Sequence, residues 1–367
     1  MTATMTFVGL DVHANQTHGA ALQPATGELC RRRIAGPPEA ALDWLEQLGP
    51  DLLAVYEAGP TGFALAREAR QRGIELRIAA PGLIPRGPSD RVKTDRRDAE
   101  RLARLLAAGE LRFAYLPTPE QERFRDLVRA REDLRGDLMR ARHRLSKLLL
   151  RRGLRYPGPG RAWTQRHGDW LRSLRFDEEA SEVTFADYLA AVDALTQRRG
   201  ALDGAIERLW PESPFAPVIA RLRCFRGIDT LSAAGICAEV GEFHRFKRPN
   251  LVAGYLGMTP SERTSDERRR QGAITKAGSR HARRLLVEAA HHYAKRPNVG
   301  VELARRREGC DPRVVAIAWR AQRRLHARWS HLVGRRGKPA GKVAVACARE
   351  LSAFCWEAAT LEWAIPT

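Results

Sequence analysis

Up to about residue 116, apolar residues come in short runs separated by helix-patterned stretches. TFVGLDV (6–12) and THGAALQ (17–23) are predicted as neighbouring strands. A helix follows near Pro38–Leu48, then a strand DLLAVYE (51–57), a helix from about Thr61 to Gln71 and a strand IELRIAA (74–80). A helix from about Thr94 to Ala108 and a short apolar piece LRFAYL (111–116) complete the region. Adjacent strands followed by strand–helix alternation predict an α/β domain with a mixed sheet.

From Pro119 to Arg152 the period changes to that of one long helix. Phe124, Leu127, Arg131, Leu134, Leu138, Ala141, Leu145 and Leu148 recur at alternating three- and four-residue steps, a coiled-coil seam with one arginine intruder. Phe185, Leu189, Val192, Leu202, Ile206 and Leu209 form a second seam beyond the helix-breaking YPGPG of Tyr156–Gly160. PESPFAP (211–217) reads as a linker into a mostly helical region, with SERTSDERRRQG (261–272) as a polar loop and helices near Arg313–Trp329 and Lys342–Ala358. The predicted organisation is α/β followed by α, with domains at 1–117, 118–210 and 211–367.

Charge narrows the function. There are 63 Lys and Arg against 43 Asp and Glu, a net charge of +20 in 367 residues. Such an excess points to nucleic acid, where displaced counterions supply much of the affinity. Nothing approaches the roughly 18 consecutive apolar residues of a membrane span, and no secretory leader is recognisable at the N-terminus. The six cysteines show neither CxxC pairs nor Cys/His spacing, which argues against zinc and disulfides and suits a reducing cytosol.

Two groups of residues carry candidate chemistry. Asp11 and Glu57 each close an apolar strand, and Asp95 and Asp98 are three apart at the start of a predicted helix, on one face. Together they can supply an all-oxygen pocket suited to Mg²⁺ or Mn²⁺. Taken singly, Asp95 reads as a helix N-cap with Asp98 favouring the helix N-terminus, and Asp11 and Glu57 as surface acids at strand ends. The other group is hydroxylic: Ser261 and Ser265 lie among Arg263, Arg268, Arg269 and Arg270, where a serine can attack a phosphodiester if cations hold the nonbridging oxygens. Lys276, Arg280, Arg283 and Arg284 follow at helical spacing as candidate phosphate contacts. GIDTLSAAGI (227–236) is similar to a helix-hairpin-helix turn able to hold a phosphate at a helix start, or is a simple helix–helix corner.

The segments GLDVHANQTHGAAL, YEAGPTG, KTDRRDAERLARLL, RGIDTLSAAGICAEVGEFHRF and YLGMTPSERTSDERRRQGAITKAGSRHARRLLVEAAHHY, with the tail ACARELSAFCWEAA, together resemble one family. It is the DEDD transposases of the insertion-sequence-110 family, relatives of the Piv-type invertases that include bridge-RNA-guided recombinases. The resemblance implies a RuvC-like, RNase-H-type N-terminal domain whose metal-binding acids are Asp11, Glu57, Asp95 and Asp98. It implies Ser265 as nucleophile, with Asp266 where the family often has glycine. It further implies DNA and a structured noncoding guide RNA as partners, a homo-oligomer (dimer or tetramer), and a bacterial, cytoplasmic, nucleoid-associated location. Two rival readings remain open on the residues alone. One is a metal-dependent junction nuclease using water; the other is a nucleic-acid-binding remnant without catalysis.

Overall fold

The computed structural model describes residues 5–85, 95–265 and 268–362. The chain forms two compact units, Met1–Thr118 and Pro119–Thr367.

The first unit is built on a five-stranded sheet in the order β3-β2-β1-β4-β5. In chain order its elements are β1 (Thr6–Val12), β2 (Gln16–Gln23), β3 (Glu28–Ala35), α1 (Ala40–Gln47), β4 (Leu52–Glu57), α2 (Ala64–Gln71), β5 (Leu76–Ala79) and α3 (Asp95–Ala107). β1, β2 and β3 pair antiparallel, whereas β1–β4 and β4–β5 are parallel. The sheet is therefore mixed, as expected from the strand–helix pattern and consistent with an RNase-H-like fold. Strand alternation sorts the side chains between two layers. Val8, Leu10, Ala54 and Tyr56 pack with Leu42, Trp44 and Leu45 of α1 and with Leu65 and Ala69 of α2. On the opposite face Val55 and the partly buried Phe7 and Leu53 pack with Leu102 and Leu106 of α3, while Ala20 packs with Ala99 and Ala103. LRFAYL adds only an isolated antiparallel bridge, Ala79 to Phe113.

β3 is absent from the sequence expectation. Its residues ELCRRRIA are nearly all exposed, so no buried alternation marks them. The strand forms because β2 offers a complete antiparallel ladder, from Gln16↔Ala35 to Gln23↔Glu28.

The second unit comprises α4 (Pro119–Arg151), α5 (Gln165–Ser173), α6 (Glu179–Leu209), α7 (Ala216–Leu222), α8 (Thr230–Val240), α9 (Pro249–Tyr255), β6 (Pro260–Ser265), β7 (Arg268–Ile274), α10 (Arg280–His291), α11 (Val301–Arg307), α12 (Pro312–Ser330) and α13 (Ala340–Ala359). α4 and α6 pack together, with Leu138, Ala141, Leu145 and Leu148 against Phe185 and Val192. Arg131 does not break this seam, because its Nε donates to Asp203 of α6 at 2.6 Å. A pair set into an apolar seam favours one register over others. At their other ends Phe124, Val128 and Ile206 enter the same core as α7, α8, α10, α12 and α13. The segment expected as a polar loop at 261–272 is instead a two-stranded antiparallel hairpin, β6 with β7. Charged residues conceal the strands in the sequence, and the ladder pairs the backbone groups along their shared edge.

Candidate active site

The geometry begins at Gly9. A Cβ placed there would lie 2.0 Å from the carbonyl oxygen of Ala99 and 2.6 Å from the nitrogen of Ala103, so only glycine lets α3 lie against β1. Phe7 meets Leu102 and Leu106, and Gly9 meets Ala99 and Ala103. α3 therefore runs back along β1, and its first turn, Asp95 to Asp98, approaches the strand's C-terminal end, where Asp11 stands. The parallel register Leu10↔Tyr56 brings Asp11 level with Glu57 on the adjacent strand. Alternation puts both acids on the α3 face, with Phe7 and Gly9 and with Leu53 and Val55.

Asp11 is partly buried, its side chain 24% exposed, and its Oδ2 lies 3.3 Å from Nε2 of His13. Asp98 is comparably sheltered, with Arg101 at 3.9 Å. Glu57 is exposed. The side chain of Asp95 lies outside the described residues, as does Lys93. Among the described residues, no three His, Cys, Asp or Glu side chains gather closely enough to hold a metal ion. The donor chemistry of the four acids fits a hard cation, since carboxylate oxygens are what Mg²⁺ and Mn²⁺ prefer. Sequence reasoning missed His13, whose approach to Asp11 follows from the turn between β1 and β2. It also passed over Glu100, which is engaged by Arg31 at 2.8 Å and Arg104 at 2.9 Å. The Arg31 hydrogen bond, more than burial opposes it, holds the Glu100 carboxyl below its ordinary range.

In the second unit Ser265 ends β6, opposite Arg268 in the hairpin register, with Thr264 opposite Arg269 and Arg263 opposite Arg270. The side chains of these six residues, and the whole of Asp266, lie outside the described residues. Ser261 is occupied within the hairpin, where its hydroxyl donates to the carbonyl of Ala273 at 3.0 Å. The hairpin is anchored below by Gly278, at φ +64, where a Cβ would fall 2.0 Å from the carbonyl oxygen of Tyr255. Ser279 then caps α10 by accepting from the Ala282 amide.

The basic residues after the hairpin divide into two kinds. Lys276 and Arg280 are exposed, and Lys276 adopts a left-handed φ of 58°. Arg283 donates to the carbonyls of Leu256 and Ala277, fastening α10 to the hairpin base. Arg284 bridges Glu132 of α4 and Glu288, each at 2.7 Å. The turn at 227–236 resolves as a corner whose helix start is already capped, because Asp229 accepts from the Ser232 amide at 2.8 Å. A carboxylate thus sits where a phosphate would bind.

Residues 8–152 match the IS110-type DEDD transposase model, and residues 219–302 match a second one described as the transposase IS116/IS110/IS902 family. The first range takes in all four acids and the second Ser265 and its basic neighbours. Over 345 residues the chain is 33% identical to the transposase for insertion sequence element IS1533 of Leptospira borgpetersenii, covering 90% of this chain and 98% of that protein. The chain belongs to the IS110 family of transposases. Another relative of this transposase is y4qE of Sinorhizobium fredii, named as a transposase, 41% identical over 301 residues, which are 82% of this chain and 73% of y4qE. A family 20 transposase of Pseudomonas aeruginosa is 26% identical over 302 residues, 77% of this chain and 82% of that one. The transposase is an enzyme acting on DNA. Among its described residues, no helix is long and apolar enough to cross a membrane.

Proposed function

We propose that this transposase cuts and rejoins DNA to move its insertion sequence, using the acids of the first unit and Ser265 of the second. The observation that supports this reading is the close approach of Gly9 to Ala99, which directs α3 back along β1 toward the end of the strand that carries Asp11. Asp11, Glu57, Asp95 and Asp98 hold a divalent cation, Mg²⁺ or Mn²⁺. When bound, such an ion stabilises the charge that develops on the scissile phosphate. Asp11 and Asp98 are partly sheltered, whereas Glu57 is exposed.

Ser265 attacks the phosphorus of one strand. A bond forms from its Oγ, the bond from phosphorus to the sugar oxygen breaks, the serine proton passes to solvent, and the sugar leaves as a free hydroxyl. The phosphoserine link conserves the ester for attack by another sugar hydroxyl, which rejoins the DNA and releases the serine. Lys276 and Arg280, exposed just after the hairpin, together with Arg268, Arg269 and Arg270, receive the phosphates. The resemblance to guided recombinases supports a structured noncoding RNA that pairs with donor and target DNA, and a homo-oligomer as the working form.

Incubating protein, RNA transcribed from the element, DNA carrying its ends, and Mg²⁺ tests the reading. Recombination is expected to fall at least about a hundredfold in Asp11→Ala, in Ser265→Ala, and on removing the metal with EDTA. Strand cleavage that survives Ser265→Ala but not Asp11→Ala would establish a nuclease using water instead.

A further inference from the structure

Beside its acids, the sheet of the first unit carries a row of cations. β2 pairs antiparallel with both neighbours, placing His18 opposite Asp11 on one side and opposite Arg33 on the other. Ala20 likewise lies between Gly9 and Arg31. Directly opposed residues of an antiparallel ladder share a face. Arg33, His18 and Asp11 therefore form one row across the α3 face, and Arg31, Ala20 and Gly9 form the next. His18, Gly19, Arg31, Arg32, Arg33 and Arg96 line a cleft of about 380 Å³.

The partners of these arginines separate structural from available charge. Arg31 is neutralised by Glu100 of α3. Arg33 instead rests its Nε and Nη2 on the amide oxygen of Gln16, at 3.0 and 2.9 Å. Among the described residues, no carboxylate lies within ion-pair distance of Arg33 or of exposed Arg96. A neutral amide orients a guanidinium without cancelling its charge, so the fork is held ready for an anion.

We propose that this cleft binds the phosphodiester backbone of the DNA strand entering the acid site, with Arg33 as its principal phosphate contact. Adjacent strands lie about 4.8 Å apart, so Arg33 stands roughly 10 Å from Asp11, two strands away. A DNA strand crosses that distance within a few phosphates. The cations also offset the repulsion that clustered carboxylates exert on DNA. Charged residues on an edge strand such as β3 additionally discourage pairing with another chain. That role needs charge alone, whereas phosphate binding needs a charge left uncancelled. The proposal rests on the reading of the acids as the DNA-processing site, but not on metal or on Ser265.

The test is DNA binding by the full chain in EDTA, read by fluorescence anisotropy between about 50 and 200 mM salt. Arg33→Gln is expected to weaken binding about tenfold and to lower the salt slope by about one. Gln16→Glu, which keeps Arg33 but gives it a carboxylate partner, is expected to weaken binding in the same direction. Arg77→Gln removes a charge from the opposite edge strand, β5, and is expected to have little effect. Unchanged binding in Arg33→Gln, an equal loss in Arg77→Gln, or a loss for RNA without one for DNA would each overturn the proposal. Because no cleavage occurs in EDTA, this outcome is separate from that of Asp11→Ala in recombination.

Discussion

Glu239 of α8 is almost enclosed, 8% exposed, yet burial does not leave it protonated, because Arg129 of α4 donates to both its oxygens. Against the burial that raises it, the Arg129 contact holds its carboxyl below the usual range. Glu132 is likewise raised by burial but brought lower by Arg135, His281 and Arg284. A depressed carboxyl contributes stability above its unfolded value, about 4.5, and loses it as pH falls through the folded value. His281 is depressed by burial, which outweighs the opposing pull of Glu132 and Glu239. Its contribution is complete above about pH 6.5 and declines as acid charges the buried ring. Stability to urea is therefore expected to fall first below about pH 6.5 and more steeply below about 4.5. Arg129→Ala is expected to cost about 2–3 kcal/mol at neutral pH by leaving Glu239 without its partner. A stability flat from pH 7 to 5 would contradict the assignment. The sequence made Asp11 and the odd Arg131 visible, since each departs from an apolar pattern, and Asp98 by its spacing from Asp95. It hid Asp203 as the partner of Arg131, because only the folded chain brings α4 and α6 together.

The decisive element is α3. Its acids were readable from their three-residue spacing, but its docking depends on Gly9, one glycine within a strand. Gly9→Ala is expected to destabilise the first unit by about 1–3 kcal/mol through overpacking. By lifting the first turn of α3 from Asp11, it should also lower recombination at least about tenfold. Urea denaturation and a recombination assay read the two effects. A variant matching the native protein in both would show that the close helix–strand approach is dispensable. Periodic elements were legible: the strand at 6–12, the strand ending in Glu57 and the long helix from Pro119 all form. β3 and the β6–β7 hairpin were not, because their runs of arginine leave no apolar alternation in the sequence. Both unread elements carry basic residues placed beside proposed chemistry. In each, strand pairing holds together like charges that would separate in a loop.

Across the whole molecule, a net charge of +20 and family membership agree on DNA. Affinity for DNA should fall about a thousandfold or more between about 50 and 200 mM salt if at least six phosphates are contacted. A salt-insensitive affinity would mean that the charge serves something else. The family was readable in the sequence because its motifs span both units, from GLDVH to ACARE. The chemistry was less so, since the local pattern around Asp95 and Ser265 fits a helix cap and a loop hydroxyl as well as the proposed roles. The most direct measurement traps the protein on DNA carrying the element's ends, trims the DNA with nuclease, digests the protein, and locates the nucleotide adduct by mass spectrometry. A nucleotide is expected on Ser265, lost in both Ser265→Ala and Asp11→Ala. An adduct on Thr264 or Ser261, or recombination with no adduct at any residue, would contradict this expectation.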